Sequence, residues 1–490
     1  MIFISGRMLL LVLFASLSLG VANGQTQPVA PTNSSVLPWN RDESTLGALP
    51  ARPPTSAREL LINVDESEWN HFVDGQPLNA GDDETLNRIL YRLPAIQLDN
   101  VEQLTRGDVA WQQLAEDPKR YRAEFFKLSG RVTDMTRVEL IPEVAVRLDF
   151  DHYFRVAIEL DGAPYPVLVC SRKVPQAWLT SQPLQERVSA YGLFIKVGDA
   201  SGSHPQLVFA AQRVAWHPDR VAPPLSIDAE HVLLGDLGFD VGLFDDVRKT
   251  NFREVTSADR ECFYQLLAAV GRADSAKLLA SAQDEFSLIE LLRDPQPHQG
   301  QLASVNGVAR RVTKILVDDA DVQQRFHIDH YYQIDMFILL GDQVIRMDSA
   351  GSKKEGPQYS RMYPVTVCAV RLPPGLPEGM NLRQEVRMPA FFFKLWSYKS
   401  EYVTAVDKSS SQRSPMFFAL EPVVVPQEPT SNPAANIAIA VLAITAAIIW
   451  FGYLRQARRN AKSRREGKAQ RLTIDPEKSL NDLDIHLHDK

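Results

Sequence analysis

The chain has 490 residues, a formal net charge of -7 and three cysteines, and 45% of its residues are hydrophobic. So few cysteines, and an odd number of them, exclude a disulfide-stapled scaffold, so the fold must depend on hydrophobic cores. This length allows two or three domains. The acidic balance argues against nucleic acid as a partner, because phosphates dominate affinity in nucleic-acid complexes.

The N terminus has the layout of a secretory signal. Arg7 is the only early charge, an apolar run covers residues 8–19, and small residues follow. This order predicts a signal peptide over residues 1–24. An uncleaved anchor helix is the alternative, although the apolar run is short for a membrane span. A Pro-rich linker is predicted over residues 25–56.

A single internal repetition is the main pattern of the sequence. Sliding the chain by 177 positions, then 178, then 198, aligns its two halves collinearly. The second copy therefore carries 20 extra residues, around 349–361. The matched pairs include Asp82/Asp259, Gly130/Gly307, Asp151/Asp329, His152/His330, Tyr153/Tyr331, Cys170/Cys368, Phe194/Phe392 and Lys196/Lys394.

The repetition predicts an α+β fold made of two tandem units. Each unit begins with apolar residues at helical three- and four-residue spacing, and continues with β-branched and aromatic runs typical of strands. The predicted spans are repeat one at 57–220, with helices in 82–115 and a barrel at 127–216, and repeat two at 227–425, with helices in 258–292 and a barrel at 303–425.

The second part of each unit resembles the OB-fold barrel in its architecture. Repeat one has five strand-like runs with room for a short helix after the third, namely 127–138, 153–160, 165–170, 187–197 and 206–216. Five strands with a helix in that place are typical of the OB-fold. The resemblance rests on no family-specific sequence motif, and an SH3-like or other small barrel fits the same runs. It implies a five-stranded barrel in each unit and carries no functional residue over.

A membrane-spanning helix is predicted over residues 434–454, after a linker at 426–433. The segment is apolar apart from Asn436 and Thr445. About 20 helical residues rise roughly 30 Å, the thickness of the hydrocarbon core. A buried hairpin helix is the alternative, but the dense basic block that follows does not suit a protein core.

The tail, residues 455–490, predicts the orientation. It contains ten Lys or Arg and six Asp or Glu, so it carries +4 and leaves -11 for the rest of the chain. A basic flank stays in the cytoplasm and can contact anionic lipids. The sequence thus predicts a single-pass protein of the bacterial cell membrane with its N terminus outside. The general pattern is similar to that of bacterial envelope proteins.

An Asp-His-Tyr triplet occurs once in each copy, and it is the candidate chemistry of an enzyme hypothesis. A hydrolase would use the pair Asp151/His152 or Asp329/His330 with a nucleophile supplied by the fold. Because neighbouring strand residues point to opposite faces, we expect each carboxylate and imidazole to be kept apart. The tyrosines, Tyr153 and Tyr331, are interpreted as barrel packing and the histidines as half-exposed.

The remaining reactive and aromatic residues are interpreted as core. Cys170, Cys262 and Cys368 lie in apolar contexts and are expected to be buried and unpaired. The aromatic run at 391–398 has a base-stacking alternative, but a run apolar on both faces is typical of a buried strand. Surplus aromatic residues in copy two are a possible contact between the barrels.

The sequence supplies no catalytic set, cofactor site or metal site. There is no HExxH or CxxC spacing, and the His486/His488 pair in the tail is too sparse for a metal. The insertion at 349–361 is a polar loop, either a recognition loop or a neutral insertion. The leading hypothesis is a non-enzymatic scaffold that binds a protein, peptide or glycan; a hydrolase and a nucleic-acid-binding module are the alternatives.

Overall fold

The protein is described by a computed structural model that covers residues 54–61, 64–107, 111–282, 286–346, 358–399, 411–426 and 433–471. The predicted signal peptide, most of the first linker and the His486/His488 pair lie outside these ranges. The chain divides into two units, Met1–Val425 and Pro426–Lys490.

A closed five-stranded barrel, called barrel one, forms the centre of the first half. Its strands pair in the order β2-β3-β4-β6-β5, and β5 pairs with β2 to close the ring. All of these pairings are antiparallel except β4 with β6, which is parallel. The first sheet consists of β1 Thr105–Arg106, β2 Phe125–Glu139, β3 His152–Leu160, β4 Pro166–Ser171, β5 Arg187–Val197, β6 Leu207–Ala211 and β7 Ala215–Trp216.

The second half contains a sheet with the same pattern of pairings, called barrel two. Its ring is β8-β9-β12-β14-β13 with β13 returning to β8, and the parallel pair is β12 with β14. The strands here are β8 Leu302–Leu316, β9 His330–Leu339, β10 Ile345–Arg346, β11 Gln358–Tyr359, β12 Met362–Ala369, β13 Gly379–Tyr398, β14 Gln412–Ala419 and β15 Val423–Val424.

One glycine in each barrel permits a close crossing of the first two strands. A Cβ atom on Gly130 would lie 2.0 Å from the Glu159 carbonyl oxygen, and one on Gly307 would lie 2.4 Å from that of Phe337. No side chain fits at such distances. Glycine therefore lets the long strands β2 and β8 bend around their barrels.

Helices pack on the outside of both barrels. The helices are α1 Ala57–Leu60, α2 Glu66–Trp69, α3 Ala80–Arg92, α4 Leu98–Leu104, α5 Trp111–Glu116, α6 Pro118–Tyr121, α7 Pro142–Leu148, α8 Ala229–Asp236, α9 Phe244–Lys249, α10 Arg260–Arg272, α11 Ser275–Ser281, α12 Leu288–Arg293 and α13 Ala320–Phe326. Short 3-10 turns occur at Leu93–Ala95, Gln176–Leu179, Pro223–Leu225, Val241–Leu243, Ser257–Asp259 and Gln296–His298.

The two halves share one hydrophobic core. A single cluster joins interior residues of barrel one, such as Phe126, to residues of α10, such as Phe263, and to the barrel-two residues Phe393 and Phe418. The Phe263 and Phe418 rings lie 4.8 Å apart. Helix α10 is amphipathic and packs its apolar side against barrel two. Residues up to Val425 accordingly form one compact unit.

Several predicted elements are interrupted in the structure. The helical region predicted at 82–115 is interrupted after α4, which gives way to β1 before α5 starts. The Thr105 hydroxyl donates to the Val101 carbonyl at 2.6 Å, and such side-chain bonds compete with helical ones. The predicted strand at 206–216 breaks between β6 and β7, where the Gln212 amide donates to carbonyls of the α3–α4 connection.

The second unit contains α14, Pro433–Arg471. Within the described residues, Ile437–Arg465 is the helical segment that is long and apolar enough to cross a membrane. The predicted span, 434–454, lies inside α14, and the basic residues after it continue the same helix. Membrane location and orientation stay predictions.

Candidate functional site

A cavity opens at one end of barrel two and is called the barrel-two cavity. Its volume is about 990 Å³. Phe392 and Phe417 form an apolar floor, with their ring centroids 5.4 Å apart. Polar side chains surround the opening, among them Glu290, His298, Ser304, Asn306, Glu385 and Arg387.

The cavity exists because small residues occupy places that are aromatic in barrel one. Ala303 opposes Ala390 across β8 and β13, whereas Phe126 opposes Gly192 at the corresponding step of β2 and β5. The Phe126 ring lies 6.5 Å from Phe194 and 6.1 Å from Phe209, so it helps to fill barrel one.

The helix beside each barrel supplies an aromatic ring in both halves. Trp111 begins α5 and packs 6.4 Å from Phe126 and 6.5 Å from Phe209. In barrel two, Leu288 begins α12 at the matching place, and the ring of nearby Phe286 packs 5.7 Å from Phe417 instead. The ring that barrel two lacks is therefore that of Phe126, whose place Ala303 takes.

The opening carries groups able to bind a polar ligand. His298 Nδ1 lies 2.8 Å from the Gln301 side-chain oxygen, and the Arg387 guanidinium donates to the Ser304 hydroxyl at 3.1 Å. Glu290 and Glu385 are exposed at the rim. An apolar floor with a few polar groups around it is the usual composition of a ligand pocket.

A smaller cavity of about 420 Å³, called the covered cleft, lies on the corresponding side of barrel one. Ser129 opposes Ser189 there, as Asn306 opposes Arg387 in barrel two. Helices from the second half cover this side, through α8, α10 and α13. The same barrel surface is therefore covered in one half and open in the other.

The Asp-His pairs are brought together, so the expectation that they are kept apart is wrong. His152 Nδ1 lies 2.5 Å from an Asp151 carboxylate oxygen, and His330 Nδ1 lies 2.8 Å from Asp329. Both aspartates precede the first strand residue, so strand alternation does not apply to them. These hydrogen bonds hold the pKa of each aspartate below its usual range.

The Asp-His pairs lie on the exposed surface of the described part of the chain, away from both described cavities. The aspartates are exposed, each histidine ring packs edge-on against an aromatic neighbour, and neither pair lines either described cavity. The recorded polar neighbour of His152 besides Asp151 is Arg137, at 3.3 Å, which is no nucleophile. Tyr153 and Tyr331 are buried, as predicted.

The three cysteines are buried and unpaired, as predicted. Burial raises the pKa of the Cys170 thiol to about 12 and raises those of Cys262 and Cys368 as well. A thiol that stays protonated is a poor nucleophile and a poor metal ligand. Within the described ranges, no group of three potential metal ligands is close enough to hold a metal ion.

The aromatic run of β13 is core. Phe391, Phe392 and Phe393 are all buried, so the run offers no surface for base stacking. Phe393 belongs to the cluster shared by both halves, in line with the predicted contact between the barrels. Residues 347–357, most of the predicted insertion, lie outside the described residues.

Two buried ion pairs are not among the residues predicted from the sequence. The Lys196 ammonium lies 2.9 Å from Asp82, and the Lys394 ammonium lies 3.1 Å from Asp259. Both lysines sit at irregularities in the pairing of the fourth barrel strand. The alignment of Asp82 with Asp259 and of Lys196 with Lys394 is the sequence signal from which these ion pairs could be predicted.

Each of these aspartates also caps the start of a helix. Asp82 accepts the Asn79 backbone N–H at 3.1 Å, and Asp259 accepts that of Thr256 at 2.8 Å, which completes a capping box in both places. One carboxylate therefore caps a helix and binds a barrel lysine. These pairs lock helix to barrel and are structural.

No known protein family matches the chain, and no curated protein matches it. Among solved structures, a deletion mutant of the single-stranded DNA binding protein from Thermus aquaticus is similar over 62% of this chain and 96% of that one, with 6% identity and a TM-score of 0.14. An aspartyl-tRNA synthetase from Entamoeba histolytica is similar over 48% and 51%, with 10% identity and a TM-score of 0.17. Likenesses this weak carry no conclusion about fold or function.

Proposed function

We propose that the protein is a membrane-anchored extracytoplasmic binding protein, made of two copies of one helix-plus-barrel unit, whose ligand binds in the barrel-two cavity. The observation that carries this proposal is the contrast between the open barrel two and the plugged barrel one. Ala303 stands where barrel one has Phe126, and it lines the cavity.

Secondary-structure elements of equal length, separated by a constant number of residues, support the duplication. Strands β2 and β8 both have 15 residues, and helices α7 and α13 both have seven. Each of these helices is followed by a residue in the left-handed conformation, Asp149 and His327, both with φ of 56°. The buried Lys–Asp pairs recur in the same way. Inheritance from one ancestral unit accounts for such agreement in detail.

The strand pairings support an OB-like barrel in each unit. Counting five strands in chain order within a ring, the first pairs with the second and the fourth, and the third pairs with the fifth in parallel. The 3-10 turn Gln176–Leu179 lies between the third and fourth strands of barrel one, where the expected short helix falls. OB-like barrels are frequent carriers of binding sites.

The cavity suits a segment of a protein, peptide or glycan. Its 990 Å³ reach the upper end of the range of about 300–1,000 Å³ that is usual for small-molecule pockets. Rim groups of both signs can pair with amides, hydroxyls and charges of such a ligand. Helix α14 supplies the membrane anchor, and its basic extension supplies the cytoplasmic end.

Filling the cavity tests the proposal. The variant Ala303→Phe gives barrel two the residue that barrel one has at position 126, and it should keep the fold because the space is already open. Full-length protein and variant are crosslinked in membranes, and bound species are recovered through a tag on the chain. A partner recovered with the native chain and lost from the variant supports the cavity as the site.

The control is Ala200→Phe, a substitution of the same type at an exposed position between β5 and β6. Equal recovery from Ala303→Phe and the native chain would exclude the cavity as the ligand site. Recovery of the chain alone at every concentration would refute the binding function.

A further inference from the structure

Within one chain, helix α13 packs beside the covered cleft of barrel one. In α13, Arg325 is only 5% exposed because it binds Glu102 of α4 at 3.1 Å and Glu261 of α10 at 2.6 Å. Next to it, the Gln103 amide donates to the Gln324 side-chain oxygen at 3.2 Å. Helix α13 of the second half therefore docks against α4 of the first half, beside the covered cleft.

Both partners of this contact have a counterpart elsewhere in the chain that carries an exposed apolar side chain. The counterpart of α4 is α11, which has seven residues at a constant offset of 177, and the counterpart of α13 is α7 at an offset of 178. Leu279 of α11, in the place of Glu102, is 52% exposed, and Val146 of α7, in the place of Gln324, is 86% exposed.

The exposed residues match each other in chemistry. The amide pair Gln103–Gln324 is replaced by Ala280 and Val146, so a polar contact becomes an apolar one on both sides. Leu279 would meet the side of α7 that carries Arg147 and Val146. Replacing only one glutamine of the pair would leave the other amide without a polar partner. Here both positions of the pair are apolar.

Arg147 is the basic group of the α7 surface. It lies 3.6 Å from Glu84 and is 53% exposed, in the way that Arg325 pairs with Glu261 in the covered contact. Exposed carboxylates of Glu290 and Glu385 stand at the rim of the barrel-two cavity. Arg147 can pair with this rim, whereas the exposed Glu143 and Asp149 beside it cannot, so the electrostatic attraction depends on Arg147.

We infer that the partner of the barrel-two surface is a second copy of this chain, with α7 of one copy docked against α11 and the barrel-two cavity of the next. This inference rests on the proposed duplication and binding site. Such a contact joins different surfaces of two copies, so it is heterologous and extends into a ring or a linear array. Anchoring in one bilayer concentrates the copies and strengthens a weak contact.

A crosslink between two full-length chains tests the docking geometry. One chain carries Val146→Cys and one tag, and the other carries Leu279→Cys and a second tag; both are expressed together and treated in membranes with a bismaleimide. The native cysteines are buried and do not compete. The control pair replaces Val146→Cys by Val221→Cys, a residue outside α7 that is 56% exposed, against 86% for Val146.

We expect several-fold more two-tag product from Val146→Cys with Leu279→Cys than from the control pair, because docking holds only the first pair of thiols close together. Adding Arg147→Glu to the first chain should reduce the product. Equal yields from the two pairs, or no effect of Arg147→Glu, would overturn the inference.

A photo-crosslinking amino acid at Gln343, which lines the cavity, separates this inference from the proposed function. Capture of a second copy, together with the cysteine result, supports both. Capture of a different molecule, with equal yields from the cysteine pairs, overturns self-association and leaves the binding site standing. Capture of nothing, with no cysteine product, refutes both.

Discussion

Removing Asp259 should destabilise the protein more than removing its partner, Lys394, although both side chains are fully buried. The variant Asp259→Ala leaves the Lys394 ammonium with the Thr250 hydroxyl, 2.9 Å away, as its remaining recorded polar neighbour. An uncompensated buried charge costs about 3–5 kcal/mol. Loss of the cap on the Thr256 N–H adds about 1 kcal/mol.

The variant Lys394→Met leaves a better-satisfied group behind. Asp259 keeps hydrogen bonds from the Thr256 backbone N–H and from the Thr250 hydroxyl. Its cost should therefore be nearer to about 1–3 kcal/mol. The double variant should recover much of the loss of Asp259→Ala, because it removes the stranded charge.

The pH dependence gives an independent check. Burial lowers the pKa of Lys394, with Asp259 opposing that shift. Because the folded state binds the proton less tightly than the unfolded state, stability due to this group rises with pH between the lowered folded pKa and the usual value of about 10.4. Asp259→Ala removes the opposing charge, so its deficit should shrink as the pH rises towards about 10.

The measurement is denaturant unfolding of the full-length chain in detergent, followed by tryptophan fluorescence, at several pH values. The equivalent variants at Asp82 and Lys196 serve as a matched set in the first half. Equal losses from Asp259→Ala and Lys394→Met, or losses below about 1 kcal/mol, would refute the reasoning from buried charge.

Three further predictions concern packing, thiols and the membrane helix. Gly307→Ala should cost several kcal/mol, roughly 3 or more, in denaturant unfolding, since its Cβ would meet the Phe337 carbonyl, while Gly107→Ala, with open space around it, should be near neutral. Cys170 should react with a maleimide only after unfolding, because it is buried with a pKa of about 12; labelling of native protein at pH 8 would contradict this. Ala446→Arg should reduce membrane integration by about 2.5–3.5 kcal/mol on an insertion scale, measured by carbonate extraction; unchanged retention would count against a membrane span.

Strand and helix positions could largely be predicted from the sequence. The strand at 187–197 was predicted with the bounds that β5 has, and the alternation of buried residues in β2 follows the same period-two pattern. Helix α3 begins at the capping box of Asn79 and Asp82, a local signal. Such features depend on neighbouring residues, so they are visible in the chain itself. The same holds for the apolar segment within α14.

Tertiary structure alone decided where the candidate site lies and how the halves meet. Residues far apart in sequence, such as Ala303 and Phe392, line the barrel-two cavity together, and no local pattern reveals that space. The Asp151–His152 contact likewise depends on where β3 begins. Asp151 precedes the first strand residue, so the alternation of side chains along a strand does not apply to it. The covered cleft requires α13 to lie beside α4, more than 200 positions earlier. Cavities and docking surfaces arise from distant packing, so composition and periodicity do not determine them.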